Sequence, residues 1–285
     1  GQTPLMFAAA QNRVDAIKLL VSKGADVSVR TPVIDVPTQE AVDKAARQKR
    51  DAVIDGFRKE LPEAERATFH PNPTQVQTAV AAAIEVQKAA AAKGQTMATG
   101  EVEEQMPGSD SVAGYSGQVG TMGGMTALLH ATRQGHKEAA MALVDLGADI
   151  NQFSGDHTTP ILIATLNGHL DLALGLLARG ADPNIASDGG ATPLFAAINV
   201  EWAARSRYPQ PRAQDLQKAT YLETMKALLD KGANPNLQLK LLPPYRSLGA
   251  DRGVDSMLTI GATPLLRAAK AMDADRKSTR LNSSH

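Results

Sequence analysis

Few residues in this chain have types and spacings that could do chemistry. The histidines are His70, His130, His136, His157, His169 and His285, and there is no cysteine. No histidine pair has the HExxH spacing that would aim two imidazoles from one helical face at a zinc ion. No carboxylate cluster accompanies them either. His136 and His169 are 33 residues apart, each directly after a glycine, which suits imidazoles that brace equivalent loops. His130 interrupts an apolar run, where it either packs inward or reaches a groove and contacts a partner. Asp26, Asp149 and Asp182 each follow Gly-Ala. A carboxylate at such a turn accepts local backbone N–H bonds, which is a scaffold role and not half of an acid–base pair. Gly114, Gly117, Gly120 and Gly123 recur every third residue but lack the GxGxxG order and a preceding strand, so they read as a flexible link. Nothing assembles a nucleophile with a base and an orienting group. The sequence therefore predicts no catalytic residue, no metal ligand and no cofactor.

The elements that carry these residues repeat. Residues 157–190 read HTTPILIATLNGHLDLALGLLARGADPNIASDGG. Thr159 is a helix N-cap, since its hydroxyl can accept from a free N–H of the first turn, and Pro160 fits the first helical position. A short helix, Ile161 to Leu166, ends at Asn167-Gly168, because glycine enters the left-handed conformation without a Cβ clash. A second helix spans about His169 to Arg179, and Gly180 stops it before Ala181-Asp182-Pro183-Asn184 turns outward. Two such helices cannot bury their own apolar faces and need copies alongside. Thr126, Thr159 and Thr192 are 33 residues apart, and so are Gly147 and Gly180. The threonine-to-glycine distance is 21 residues at Thr3–Gly24, Thr126–Gly147 and Thr159–Gly180. A fourth unit ends at Gly232, and a fifth starts at Thr263-Pro264-Leu265.

A 33-residue period with Thr-Pro-Leu and two helices resembles the ankyrin repeat. The resemblance implies an all-α ankyrin-repeat solenoid of helix-turn-helix units with outward β-turn loops, here interrupted by a long insertion. The match covers roughly half of the chain directly. The family favours histidine after Thr-Pro-Leu, whereas this chain has Met6, Leu129, Leu162, Phe195 and Leu266 there. Those turns must rely on threonine caps and packing. The segment NVEWAARSRYPQP after TPLFAAI resembles a group of environmental bacterial ankyrin proteins that commonly carry export signals.

Composition agrees with a stack of small helices: aromatic residues make up 4% of 285. No apolar run approaches the 18 residues of a membrane span. The absence of cysteine excludes disulfides and thiolate metal sites without assigning a compartment. Thirty bases balance thirty acids, which argues against a surface that tracks phosphates. Residues 275–285, DRKSTRLNSSH, read as one frame of a sequencing-library adapter; with their one acid and three bases set aside, the remainder carries −2. The chain opens at Gly1 inside a repeat, so it is expected to be a fragment.

In chain order, residues 1–30 form repeat one, with Asn12 in the place of Gly135 and Gly168 as a left-handed cap. Residues 31–123 are an insertion. Gln39–Glu60 and Thr74–Lys93 read as helices of an arm or hairpin, and 94–123 as a mobile, Gly- and acid-rich linker. This insertion either serves a binding face or has no function. Residues 124–274 hold repeats two to five, with repeat four expanded at about 201–219 and 238–260 and repeat five truncated. Its second helix is expected over Ala213–Lys231. Trp202 and Tyr208 in the first expansion are either a local core or partner anchors.

With no chemistry assembled, function must come from surface. The family resemblance implies a non-enzymatic scaffold that binds a protein through loop tips and a concave first-helix face. By position these residues are Met125, Arg133 and Gln134 in repeat two, and Asp156, Thr158, Leu166 and Asn167 in repeat three. In repeat four they are Asp188, Ala191 and Asn199. Phe153 is a loop aromatic of the class enriched at interface hot spots. No nucleic-acid or membrane partner is expected, and the chain is expected to be monomeric. The alternative is an interaction module of a larger enzyme or redox protein whose catalytic domain lies elsewhere.

Overall fold

The computed structural model describes residues 1–93, 120–202, 213–241 and 260–269. They fall into two compact units, Gly1–Pro32 with Gly123–His285, and Val33–Met122.

In the first unit, short helices come in pairs, with first helices at the 33-residue period over 127–202. The first helices are α1 (Pro4–Ala10), α6 (Ala127–Arg133), α8 (Pro160–Leu166) and α10 (Pro193–Trp202). The second helices are α2 (Val14–Ser22), α7 (Lys137–Asp145), α9 (Leu170–Ala178) and α11 (Tyr221–Asp230). A further turn of helix, α12, covers 264–269. Each first helix packs on the next, α1 on α6, α6 on α8 and α8 on α10, and the second helices form a parallel series in the same order. This two-layer stack buries what no single repeat can. Leu143 and Leu176 are completely buried and Leu228 nearly so, each four residues before its repeat's glycine. Burying a leucine of this kind contributes about 1.5–3 kcal/mol. Leu20 has the same register but is only partly buried. It belongs to repeat one, where no described helix covers the outer side, so the expectation that all four leucines are buried holds for three.

Threonine caps start these helices as expected in most repeats. Thr3, Thr126, Thr192 and Thr263 each accept, through Oγ1, the N–H three residues on. Thr159 departs from this pattern: it is an extended N-cap, but its hydroxyl is buried and makes no cap bond. Packing around Pro160 to Thr165, all buried, holds that helix start instead. Asp26, Asp149 and Asp182 accept the N–H groups of Ser28, Asn151 and Asn184 at 2.7, 2.9 and 2.8 Å, as their turns predict. His136 Nε2–H donates to the Ala10 carbonyl (3.1 Å) and His169 Nε2–H to that of Arg133 (3.3 Å). Each imidazole thus braces the preceding repeat. Gly135, at φ +75°, permits this, because a Cβ there would lie 2.6 Å from His169 Cε1. Asn12 takes the same left-handed conformation, at φ 53°.

The second helix of repeat four is shorter than expected. A 3₁₀ turn, Ala213–Leu216, precedes it, and α11 begins only at Tyr221. Thr220 and Glu223 form a reciprocal capping box that sets this start. The residues between are held from repeat three: the Asp171 carboxylate accepts the N–H groups of Lys218 and Ala219 at 3.0 and 2.9 Å. Burial tends to raise the Asp171 pKa, but these two donors, with Lys137 and Lys218, hold it below the usual carboxylate value.

The second unit is a helical hairpin. Strand β1 (Val33–Asp35) leads into α3 (Val36–Lys59), followed by α4 (Glu63–Arg66), α5 (Pro73–Ala92) and strand β2 (Thr121–Gly123), which pairs with β1. Asp35 caps α3, and Asn72 with Gln75 forms the capping box of α5. Both helices are close to those expected from the apolar spacing. The hairpin core is thin: Val42 and Ala46 of α3 and Ala79 and Ala90 of α5 are its buried apolar residues. Residues 120–123, expected to belong to the mobile linker, include strand β2; 94–119 lie outside the described residues. The same holds for Arg205, Arg207, Tyr208, the Trp202 side chain and residues 242–259 of the second expansion.

Candidate functional site

Three register positions flank the packed alanine of the first helices, and their occupants differ between repeats, from exposed Phe7 and Arg133 to buried Ile163, Ala196 and Asn199. Four residues after the capping threonine stand Phe7, His130, Ile163 and Ala196. Seven after it stand Ala10, Arg133, Leu166 and Asn199; eight after it, Gln11, Gln134, Asn167 and Val200. The position between, Ala131, Ala164 and Ala197, stays small and buried, because there the helices touch. Arg133, Gln134, Leu166 and Asn167 are exposed and adjoin along the stack through the α6–α8 contact. Among the described residues the Arg133 guanidinium makes no ion pair.

Two expected contact residues are not on this surface. Asn199 is 3% exposed, and its Oδ1 accepts from Arg267 Nε at 3.0 Å. The packing of α12 against repeat four occupies it. Thr158 is also buried, with its hydroxyl donated to Asp156 Oδ2 at 2.8 Å and its carbonyl accepting from Ser154. Both are corrected to structural residues. Met125 is half-buried, and its N–H and carbonyl pair with Thr31 Oγ1 and N–H, each at 2.9 Å. Ala191 is half-buried as well, with its N–H on Ser187 Oγ at 3.3 Å.

His130 is half-buried at the register filled by Ile163 in the next repeat, and its Nε2 is buried without a partner. Burial, reinforced by Arg133, lowers its pKa below the ordinary imidazole value. The groove contact considered for it is not open at that nitrogen. His169 is also lowered, mainly by burial; the bond to the Arg133 carbonyl opposes the shift and the charge of His136 adds to it.

The loop tips are laced together. Gly155 N–H donates to Gly123 O, Asp188 N–H to Asp156 O and Lys240 N–H to Gly189 O, at 2.9, 3.0 and 2.9 Å. On this edge Phe153 is 37% exposed. His157 stacks on its ring with centroids 4.5 Å apart, and the Arg30 guanidinium carbon lies 4.8 Å from the ring centroid. His157 Nδ1–H donates in turn to Asp188 Oδ1 at 2.7 Å. Asp156 accepts from the hydroxyls of Ser154 and Thr158, so it shapes the tip from within.

Sequence reasoning singled out Phe153, Asp156 and Asp188 one by one; the structure brings them together and adds Arg30 and His157. A signal for His157 was present. Two residues before the threonine, Gly124, Gly190 and Gly261 are left-handed at φ +64°, +78° and +89°, and His157 alone among these is a side-chain-bearing residue, at φ 58°. For Arg30 the sequence offers no such signal, because its contact spans more than a hundred residues.

Among the described residues, no group of three or more His, Cys, Asp or Glu could hold a metal ion. No described helix is long and apolar enough to cross a membrane. No curated protein matches the chain. Two family models do: one for a single ankyrin repeat over residues 1–32, and one for three copies of the ankyrin repeat over residues 102–187. The second match ends before α10, so the expanded fourth repeat is recognised by its register and caps alone. With the helical stack described above, these matches identify ankyrin repeats in the chain, modules that generally mediate protein–protein interaction.

Proposed function

We propose that this chain is a non-enzymatic scaffold, monomeric by itself, that binds a protein partner through its first-helix edge and loop tips. The edge is Arg133, Gln134, Leu166 and Asn167, and the tips contribute Phe153, Asp156 and Asp188, with Met125 beside them. The observation that carries this reading is a contrast within one register. Positions used for packing repeat as alanine, whereas the neighbouring exposed positions differ from repeat to repeat. Arg133 and Leu166 share one register, as do Gln134 and Asn167. A fold that needed only to stack would gain nothing from such variety, whereas specific recognition needs distinct side chains on a common frame.

Capture of the partner from the source cells tests it. The double variant Arg133→Ala/Phe153→Ala should retain the parent's thermal transition within a few degrees and lose affinity, about 1–2 kcal/mol for each anchor. The control is Lys18→Ala/Lys226→Ala, on exposed positions of second helices. Undiminished binding by the first variant with loss in the second would place the interface on the other layer and end this reading.

A further inference from the structure

Resting on that reading, the loop-tip cluster also points to the chemistry of what it receives. We infer that the edge built by Phe153, His157 and Asp188 receives a cationic side chain of the partner, arginine or lysine, and that Arg30 competes from within the chain for the same ring.

The argument starts from the ring. An exposed phenylalanine presents a negative quadrupole to either face and attracts a cation within about 6 Å of its centroid. Here it already holds one, the Arg30 guanidinium, at 4.8 Å. Arg30 is exposed and, among the described residues, makes no ion pair, so little besides the ring holds it. Nearby charge has the sign that favours cations. The two carboxylates on these tips, Asp156 and Asp188, are joined through the Asp188 N–H to Asp156 carbonyl bond. Asp188 is engaged by His157 through Oδ1 and leaves Oδ2 for a further donor. Arg30 offsets one of the two carboxylate charges, and without it both stand.

Backbone geometry separates this tip from its equivalents. His157 is left-handed where Gly124, Gly190 and Gly261 serve the other repeats, a conformation that strains a residue with a Cβ. Glycine would relieve the strain but would remove both the imidazole stacked on Phe153 and the bond to Asp188. The strained residue is what fixes the ring's orientation and places the carboxylate beside it.

The competition by Arg30 gives a test whose sign decides. The probes are two blocked pentapeptides, Gly-Arg-Leu-Arg-Gly and its analogue with glutamate in place of both arginines. They are titrated into the whole chain and followed by NMR at the Phe153 ring and the Gly155 and Asp188 amides. The arginine peptide should shift these signals and the glutamate peptide should not. Arg30→Gln vacates the ring and should tighten the arginine peptide about two- to five-fold, the scale of one exposed cation–π contact. Phe153→Leu and Asp188→Asn should each weaken it, with circular dichroism confirming that the helices remain. Preference for the glutamate peptide overturns the inference. So does unchanged or weaker binding of the arginine peptide to Arg30→Gln, or no binding of either peptide to that variant. Capture with the single variant Arg133→Ala, which leaves the Phe153 tip intact, is independent of these outcomes: an acidic partner bound at the first-helix edge would refute the cation seat and leave the scaffold reading standing.

Discussion

Repeat three and the hairpin of Val33–Met122 are both made of helices, yet they bury side chains very differently. In repeat three, Pro160 to Thr165 and most of the apolar residues of α9 are buried, because a repeat lies on each side. In the hairpin, α5 packs on α3 through alanines, and Val76, Val80 and Ile84 remain about 40% exposed along one ridge. Helix α5 is longer than α8 and α9 together and better capped than α8. Length and capping therefore do not decide how much core a helix secures; the number of neighbours does. A short helix in a stack gains two interfaces, whereas a long helix in a hairpin gains one.

The largest expected effect separates the two by cavity formation. Leu176→Ala should destabilise the stacked unit by about 2–5 kcal/mol through lost transfer energy and the void left between repeats. Val80→Ala, on a side chain already 41% exposed, should cost less than about 1 kcal/mol. Chemical denaturation of the two variants checks this, and comparable losses would break the comparison.

An intermediate effect sharpens it through pH. His130 and His169 have lowered pKa values in the folded chain, so folding favours their neutral forms. Their contribution is complete above the ordinary value of about 6.5 and is lost as pH falls from there through the folded values. The carboxylates held low, Glu138 and Asp171, act only below their ordinary values of about 4, so the histidines dominate between roughly pH 5 and 6.5. Glu138 is lowered chiefly by its own backbone N–H and by Asn12. The stacked unit should lose stability across that window, and His130→Leu should flatten the loss while filling the position that Ile163 fills next door. A slope unaltered by His130→Leu would show that its buried nitrogen is not the source.

The smallest effect asks whether tight packing is what holds a strained turn. His157→Ala and His157→Gly both remove the imidazole, so their difference isolates the backbone. The glycine variant should be the more stable by about 1 kcal/mol. Equal thermal transitions would mean that the turn relaxes when the side chain goes.

Most of the fold was legible because its signals are local. A threonine and a glycine 21 residues on state where the helix pairs of repeats one to three begin and end, and the 33-residue period states that copies stack. The hairpin helices were legible from apolar spacing to within a few residues. The start of α11 was missed because the signal at Thr220 and Glu223 was read through, and because Asp171, in another repeat, captures the preceding backbone.

The candidate site was legible as a set of positions and not as an arrangement. Sequence by itself determined which positions face outward in an average repeat, since helical period and register suffice for that. Tertiary structure alone decided that Asn199 is turned to Arg267 and that Leu20 stays partly open at the edge of the stack. It also decided that Phe153 meets Arg30. The physical reason is common to all three. Hydrogen bonds, burial and ring contacts form between residues brought together by stacking, and a short-range pattern in the chain does not encode the distance between them.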